Sequence, residues 1–526
     1  MNPAVRLFDN SNSPFMRKPI SRSGRSTRTL LPALLFMPAI GALVVACGHE
    51  SSETYEATQG TVIRSATVVN TRDGSLASDQ AIVIDGGKIV KIASNGSVHT
   101  SGTAQTVDGT GKYVVPGFLD MHAHAMVHVD EKPSYFPLML ANGITGFREM
   151  GAFPGQFPDM VKRVRQLNAD IAAGRIDAPE ALLAPSDIYS GTTSAATATQ
   201  NVDQQKALGV DFIKVIGANR DAMLAFLSES KRQDLPLAGH LTPAVSATES
   251  SQAGWKSIEH LGSGIGILLD CANDEAALRA AIVSTAGNAA PAFPSDAASL
   301  ERILNTYSNE KCTNLAKVFV QNGTWNVPTL RRVHALDASD DPAFASDPNL
   351  TYVDKTRAAA WAQIEQTFAK QPEQQRVDLR QLFVLQQAVT KLLSDAGVKL
   401  MAGSDSGVAS IWVVPGFSLH DEFHELAAAG LTPLKVLQMT TLNGAEFLGR
   451  QSTMGTVETG KNADLVLLDA NPIVDVTNLD RISGVFVKGR YFPKGALDKL
   501  KADTATGYGN APAPVAAEVA KAIEGE

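Results

Sequence analysis

Residues 117–128 read GFLDMHAHAMVH and directly follow the apolar run YVVP at 113–116. The chain has only ten histidines, and two of them, His122 and His124, stand two residues apart here. On a β-strand, side chains i and i+2 point to the same face. The spacing therefore turns both imidazoles to one side. Two imidazoles aimed at one point are costly to bury unless something binds between them. A divalent metal ion is the usual occupant, so the reading turns on whether the rest of the chain supplies more ligands.

Working outward, short apolar runs alternate with stretches of helical period. The strand candidates are 117–124, 143–150, 181–187, 211–217, 236–240, 257–262, 325–330 and 398–405. About eight strand–helix repeats predict a (β/α)8 barrel. In such a barrel the chemistry sits at the C-terminal ends of the strands. Five of these strands carry a candidate there: His122 and His124, then Lys214, His240, His260 and Asp405. Each alone is weak, since a lone histidine is more often a satisfied core residue. The shared position along successive strands is what makes the set a metal-site candidate.

Two β-rich pieces flank the barrel. The runs TVIRSATVV and QAIVIDGGKIVKIA near the start have a counterpart in GTVETGKNADLVLLD and ISGVFVKGRYF near the end. Gly86-Gly87 between apolar runs reads as a hairpin turn. The expected organisation is a β-sandwich built from both chain ends (61–115 and 455–498) around an α/β barrel at 116–454. A helical insertion is expected at about 266–320, and a loosely ordered Ala/Pro/Gly-rich tail at 499–526.

Residues 1–46 combine a basic stretch, MRKPISRSGRSTRT, with the apolar run LLPALLFMPAIGALVVA. This is the layout of a secretory signal peptide; a single membrane anchor is the alternative, but the run is short for one. VVAC at 44–47 resembles the bacterial lipobox, which implies lipidation of Cys47 and a polar linker at 47–60. With Gly48 next, the expected location is the cell envelope, as a periplasm-facing outer-membrane lipoprotein. Cys271 and Cys312 would then lie in an oxidising compartment, where a disulfide is expected; two free buried thiols are the alternative. Net charge is −8, with no basic run, which argues against nucleic acid as a partner. The membrane enters only through the lipid anchor, and a homo-oligomer is left open.

The segments VVPGFLDMHAH, GITGFREMG, DFIKVIG, LAGH, SIEHLG, VPTL, AGSDSG, TLNGAEFLG and GTVETGKNADLVLLDANP together resemble the amidohydrolase superfamily, in its imidazolonepropionase-like and prolidase-like branch. The resemblance covers roughly residues 61–490. It implies a distorted (β/α)8 TIM barrel with a flanking β-sandwich, carrying a binuclear metal-dependent hydrolase of amide C–N bonds. His122, His124 and Asp405 would hold one ion, and His240 and His260 a second. Lys214 would bridge both as N6-carboxylysine, formed with carbon dioxide. Zinc is the default ion, with manganese or cobalt as alternatives. The implied reaction uses a metal-bridging hydroxide with Asp405 as general base.

Prolidase-like relatives suggest dipeptides or N-acyl amino acids as small-molecule amide substrates. Cyclic amides, lactones or amide-linked xenobiotics on the same site are the alternative, and an inactive lipid-anchored binding protein is the reading from a different class. Substrate-binding candidates are Tyr189 after the third strand, and Arg331, with its neighbour Arg332, and His334 after the seventh. HDEFH at 420–424 puts two histidines at i and i+4 of a helix. Its glutamate is misplaced for the metalloprotease order, so packing and hydrogen bonding are expected there.

Overall fold

The computed structural model describes residues 54–407 and 410–510. The leader at 1–46 and Cys47, with its expected lipidation, lie outside the described residues.

Seven barrel strands follow in chain order. They are Phe118–Ala123, Ile144–Glu149, a third in two pieces at Glu180–Ala181 and Pro185–Tyr189, then Phe212–Val215, Leu237–Gly239, Trp255–Glu259 and Trp325–Val327. Neighbours pair in parallel, and the two pieces of the third strand face the second and fourth respectively. Every residue of the first two strands is buried, as expected of a parallel sheet covered on both faces.

Residues 399–406 form no continuous ladder, yet they close the ring. Asn326 N–H donates to Lys399 O (3.1 Å), and Met401 N–H to Asn326 O (3.0 Å). On the other side Met121 N–H donates to Ala402 O (2.9 Å), Asp405 N–H to His122 O (2.7 Å), and His124 N–H to Ser406 O (2.8 Å). Glycine makes this approach possible. A Cβ on Gly403 would lie 2.7 Å from the His122 Cβ, and one on Gly407 would lie 2.5 Å from the His124 Cβ.

The flanking domain is a mixed eight-stranded sheet that draws on both ends of the chain. Strand Leu465–Leu468 is antiparallel to Tyr113–Pro116 on one side and to Ile482–Val487 on the other. The Gly86-Gly87 turn joins the antiparallel strands Leu76–Asp85 and Lys88–Ser94. A short parallel pair, Tyr55–Ala57 with Val98–Thr100, packs Ala57 and Val98 against Val62, Ala81 and Val83 of the large sheet.

Three expectations about segments need correction. The linker reading of 47–60 fails from residue 55, because Ala57 has an apolar seat that its polar neighbours conceal. The tail reading fails up to 510, where Lys494–Asn510 is a helix. Leu497, Thr504 and Tyr508 are buried at helical spacing along it. Finally, the expected insertion is present as helices Gly266–Cys271, Glu275–Ala286, Ala297–Thr306 and Asn309–Asn322, but a second follows the seventh strand. That one comprises Leu330–Asp337, Pro342–Ala345, Lys355–Ala369 and Glu373–Asp395. A Cys271–Cys312 disulfide ties the first insertion's opening helix to its last.

Candidate metal centre

The first barrel strand presents His122 and His124 toward Asp405, which arrives from the eighth position. His122 Nε2 lies 3.1 Å and His124 Nε2 3.5 Å from Asp405 Oδ1. Ligand atoms of these three buried residues all fall within 4.8 Å of one another. His260 Nε2 lies 3.8 Å from Asp405 Oδ2. The His260 ring is 4.4 Å from that of His122 and 5.0 Å from that of His240. Lys214 Nζ reaches to 3.4 Å from His122 Nε2. Six side chains drawn from five strands thus meet at one end of the barrel.

The surroundings decide which ring nitrogens face inward. His122 Nδ1 is 2.8 Å from Glu259 Oε2, and His124 Nδ1 is 2.8 Å from Gly151 O. Both partners only accept: burial would raise Glu259, but Arg148 and the His122 hydrogen bond prevail and hold it down at about 2. Thr329 Oγ1 donates to Pro328 O (2.8 Å), so it accepts from His260 Nδ1 at 2.5 Å. Each of these three imidazoles therefore donates through Nδ1 and turns an Nε2 lone pair to the centre, the tautomer a metal ligand requires. Burial, then the charge of Lys214, lowers His122 and puts His240 well below the usual histidine range; burial and Arg332 do the same to His260. Burial alone would raise Asp405, but His122, His260 and Arg332 hold it well below the carboxylate range. Neutral imidazoles around an ionised carboxylate make a donor set that fits a divalent cation.

The backbone is strained at the same place. His260, Leu261, Thr329 and Asp405 have φ of 53°, 55°, 46° and 54°. Such left-handed conformations in non-glycine residues cost energy and gather where side chains must be aimed. Ser410 helps hold one of them, its hydroxyl lying 2.6 Å from Asp405 O and 2.9 Å from Oδ2.

The expected substrate residues fall elsewhere. Tyr189 pairs in register with Val215, one step past the Ile188–Lys214 pair. It therefore faces the helices, and its ring packs 5.3 Å from that of Phe226. Arg331 donates through Nη2 to Trp412 O (2.8 Å) and pairs with Asp421 through Nε (3.1 Å). His334 bonds Glu425 at 2.6 Å and stacks on Phe383. The arginine that reaches the centre is Arg332, whose Nε pairs with Asp405 Oδ2. Sequence reading also passed over Glu259, which precedes His260 in SIEHLG and binds Arg148 Nη2 at 2.8–2.9 Å. The available signal was a charged residue inside each of two strand runs, Arg148 in GITGFREM and Glu259 in SIEHLG. The HDEFH histidines clamp Asp480: His420 Nδ1 and His424 Nε2 each lie 2.8 Å from its carboxylate.

Residues 334–491 match the family described as the amidohydrolase family. An imidazolonepropionase from Shouchella clausii is 52% identical over 40 residues, 8% of this chain and 9% of that protein. An N-acetylglucosamine-6-phosphate deacetylase from Lysinibacillus sphaericus is 32% identical over 93 residues, 16% of this chain and 23% of the other. The chain spans about a quarter or less of the length of the curated relatives it matches. Among solved structures, a bottromycin amidohydrolase superposes with a TM-score of 0.63 at 20% identity, covering 85% of this chain and 90% of the other. A Xaa-Pro dipeptidase with methionine in its active site superposes with a TM-score of 0.56 at 18% identity, covering 83% and 100%. The two solved structures share the barrel fold, and the family match at 334–491 includes Asp405. Residues 334–491 are thus similar to the amidohydrolase family, and the chain shares the fold of these solved structures.

Proposed function

We propose that the protein is a metal-dependent hydrolase of amide bonds, acting on dipeptides or N-acyl amino acids. The observation that carries this reading is the convergence of three inward-facing Nε2 atoms on Asp405, with Lys214 alongside. His122, His124 and Asp405 would hold one divalent ion, and His240 and His260 a second. A neutral Lys214 amine that adds carbon dioxide, with loss of one proton, becomes a carbamate anion able to bridge two ions. Zinc suits this donor set. Bound ions would supply Lewis acidity toward water and toward the scissile carbonyl.

The chain's own groups do the rest. Asp405 takes the proton of the attacking water and delivers it to the leaving nitrogen. Glu259 and Thr329 keep His122 and His260 oriented. Arg332 brings fixed positive charge beside Asp405, which suits a substrate carboxylate. Prolidase-like neighbours support a dipeptide substrate. The leader and Cys47 support an exported, lipid-anchored enzyme of the bacterial envelope, and a Cys47→Ala variant should leave the membrane fraction.

The test is a panel of dipeptides and N-acyl amino acids assayed with zinc, manganese and cobalt, with metal counted per chain. About two equivalents and turnover of at least one amide are expected, and Lys214→Ala should lose both. Full metal content without hydrolysis of any amide would overturn the reading.

A further inference from the structure

The helix Leu330–Asp337 begins where the seventh strand ends, and two residues at its start serve the candidate metal centre. Thr329, at the cap position, receives the His260 Nδ1 hydrogen, and Arg332 pairs with Asp405. A threonine at that position ordinarily turns its hydroxyl back to accept an N–H of the helix's first turn. Here the hydroxyl is spent elsewhere: Thr329 Oγ1 accepts from His260 at 2.5 Å, donates to Pro328 O at 2.8 Å, and makes no capping bond. The helix start therefore needs an acceptor from outside. It needs one at a residue whose φ of 46° persists only where neighbours hold it.

That acceptor comes from another helix. Glu422, the glutamate of HDEFH, lies on Phe417–Ala428, and its Oε2 accepts the Arg331 N–H at 2.8 Å. Arg331 is the second residue of the helix, one of the places a capping hydroxyl would serve. Asp421 and Glu425, on the same helix as Glu422, bind side chains instead, those of Arg331 and His334. Glu422 is fully buried, and its Oε1 makes no hydrogen bond among the described residues. Burial raises its carboxyl well above the usual range, against the pull of the Arg331 hydrogen bond. The group that meets Arg331 is then a neutral carbonyl oxygen, which glutamine can replace.

We infer that Glu422 is a positioning residue of the candidate metal centre: its Oε2 takes the capping place that Thr329 gives up, and so holds Thr329 against His260 and Arg332 against Asp405. The inference rests on the metal-hydrolase reading, and the experiment separates the two. Histidine ring nitrogens are observed by NMR in isotope-labelled, metal-free protein, with the His260 signals assigned through His260→Gln. The same protein is then titrated with zinc.

Wild type should show His260 as the Nδ1–H tautomer. Glu422→Gln keeps the carbonyl acceptor and should leave that tautomer unchanged, with zinc affinity within about twofold of wild type. Glu422→Met removes the acceptor. It should release His260 into a mixture of tautomers and weaken zinc binding about tenfold or more. Glu425→Gln disturbs a neighbouring contact between the same two helices and should change neither readout. The inference is overturned by a wild-type His260 in the other tautomer or by an unchanged His260 signal in Glu422→Met. It is equally overturned if Glu422→Gln or Glu425→Gln behaves as Glu422→Met does. Should Glu422→Met not fold, Glu422→Asp, which draws the acceptor back by one methylene, decides by the same readout. Wild type that shows the expected tautomer but binds no zinc counts against the metal-hydrolase reading alone.

Discussion

Glu259 is placed behind the metal centre, yet it orients His122 and neutralises Arg148, both groups being buried at 1% exposure or less. Glu259→Gln keeps an acceptor for His122 Nδ1 but leaves the Arg148 charge without its counter-ion. We expect metal affinity to fall about 10–100-fold and stability to fall by about 3–5 kcal/mol, read by metal titration and urea unfolding. Arg332→Met removes the cation paired with Asp405 and should lower kcat as well as raise KM for carboxylate-bearing substrates, with steady-state kinetics as the check. At this scale the sequence was legible wherever strand parity applied: His122 and His124 face one way because they are two apart. It misled where parity broke. The third strand shifts register between Pro185 and Ile188, which turns Tyr189 away from the mouth. After Thr329 the chain turns helical, so a rotation of about 100° per residue, not alternation, separates Arg332 from Arg331.

Among the elements, the first insertion is stitched by its disulfide across a sequence separation of 41. Replacing both cysteines with serine removes a cross-link worth about 4 kcal/mol on a chain-entropy account. A lower thermal midpoint should follow, with metal content unchanged. The helix Phe417–Ala428 meets Asp480 of the flanking domain through two histidines. The hydrogen bond to Asp480 raises His424, while Asp480, against its burial, is pulled to about 2 by His420 and His424. A raised histidine stabilises fully below its unfolded value near 6.5 and loses that contribution as pH climbs through the folded value. A depressed aspartate stabilises above about 4 and loses it as pH falls toward 2. His424 is 43% exposed, so screening leaves a small effect. We expect midpoints between pH 6 and 8.5 to drop by a degree or two more in wild type than in His424→Gln. The strand–helix alternation was readable from apolar period. The second insertion was not, because its helices carry ordinary amphipathic patterns that nothing in the sequence separates from barrel helices.

For the whole molecule, a ligand that binds only the folded state stabilises it by mass action. Chelation should therefore lower the thermal midpoint as well as abolish turnover, and added zinc or manganese should restore both. The both-ends origin of the flanking domain was legible because its runs share one texture at either terminus, whereas the closing helix Lys494–Asn510 hid in an alanine-rich composition. Strand Leu465–Leu468 lies between Tyr113–Pro116 and Ile482–Val487. During synthesis, the amino-terminal part of that sheet must wait, with an open edge, until nearly all of the polypeptide has left the ribosome. Once it closes, a protease nick in either helical insertion leaves the two fragments zipped together by a shared ladder.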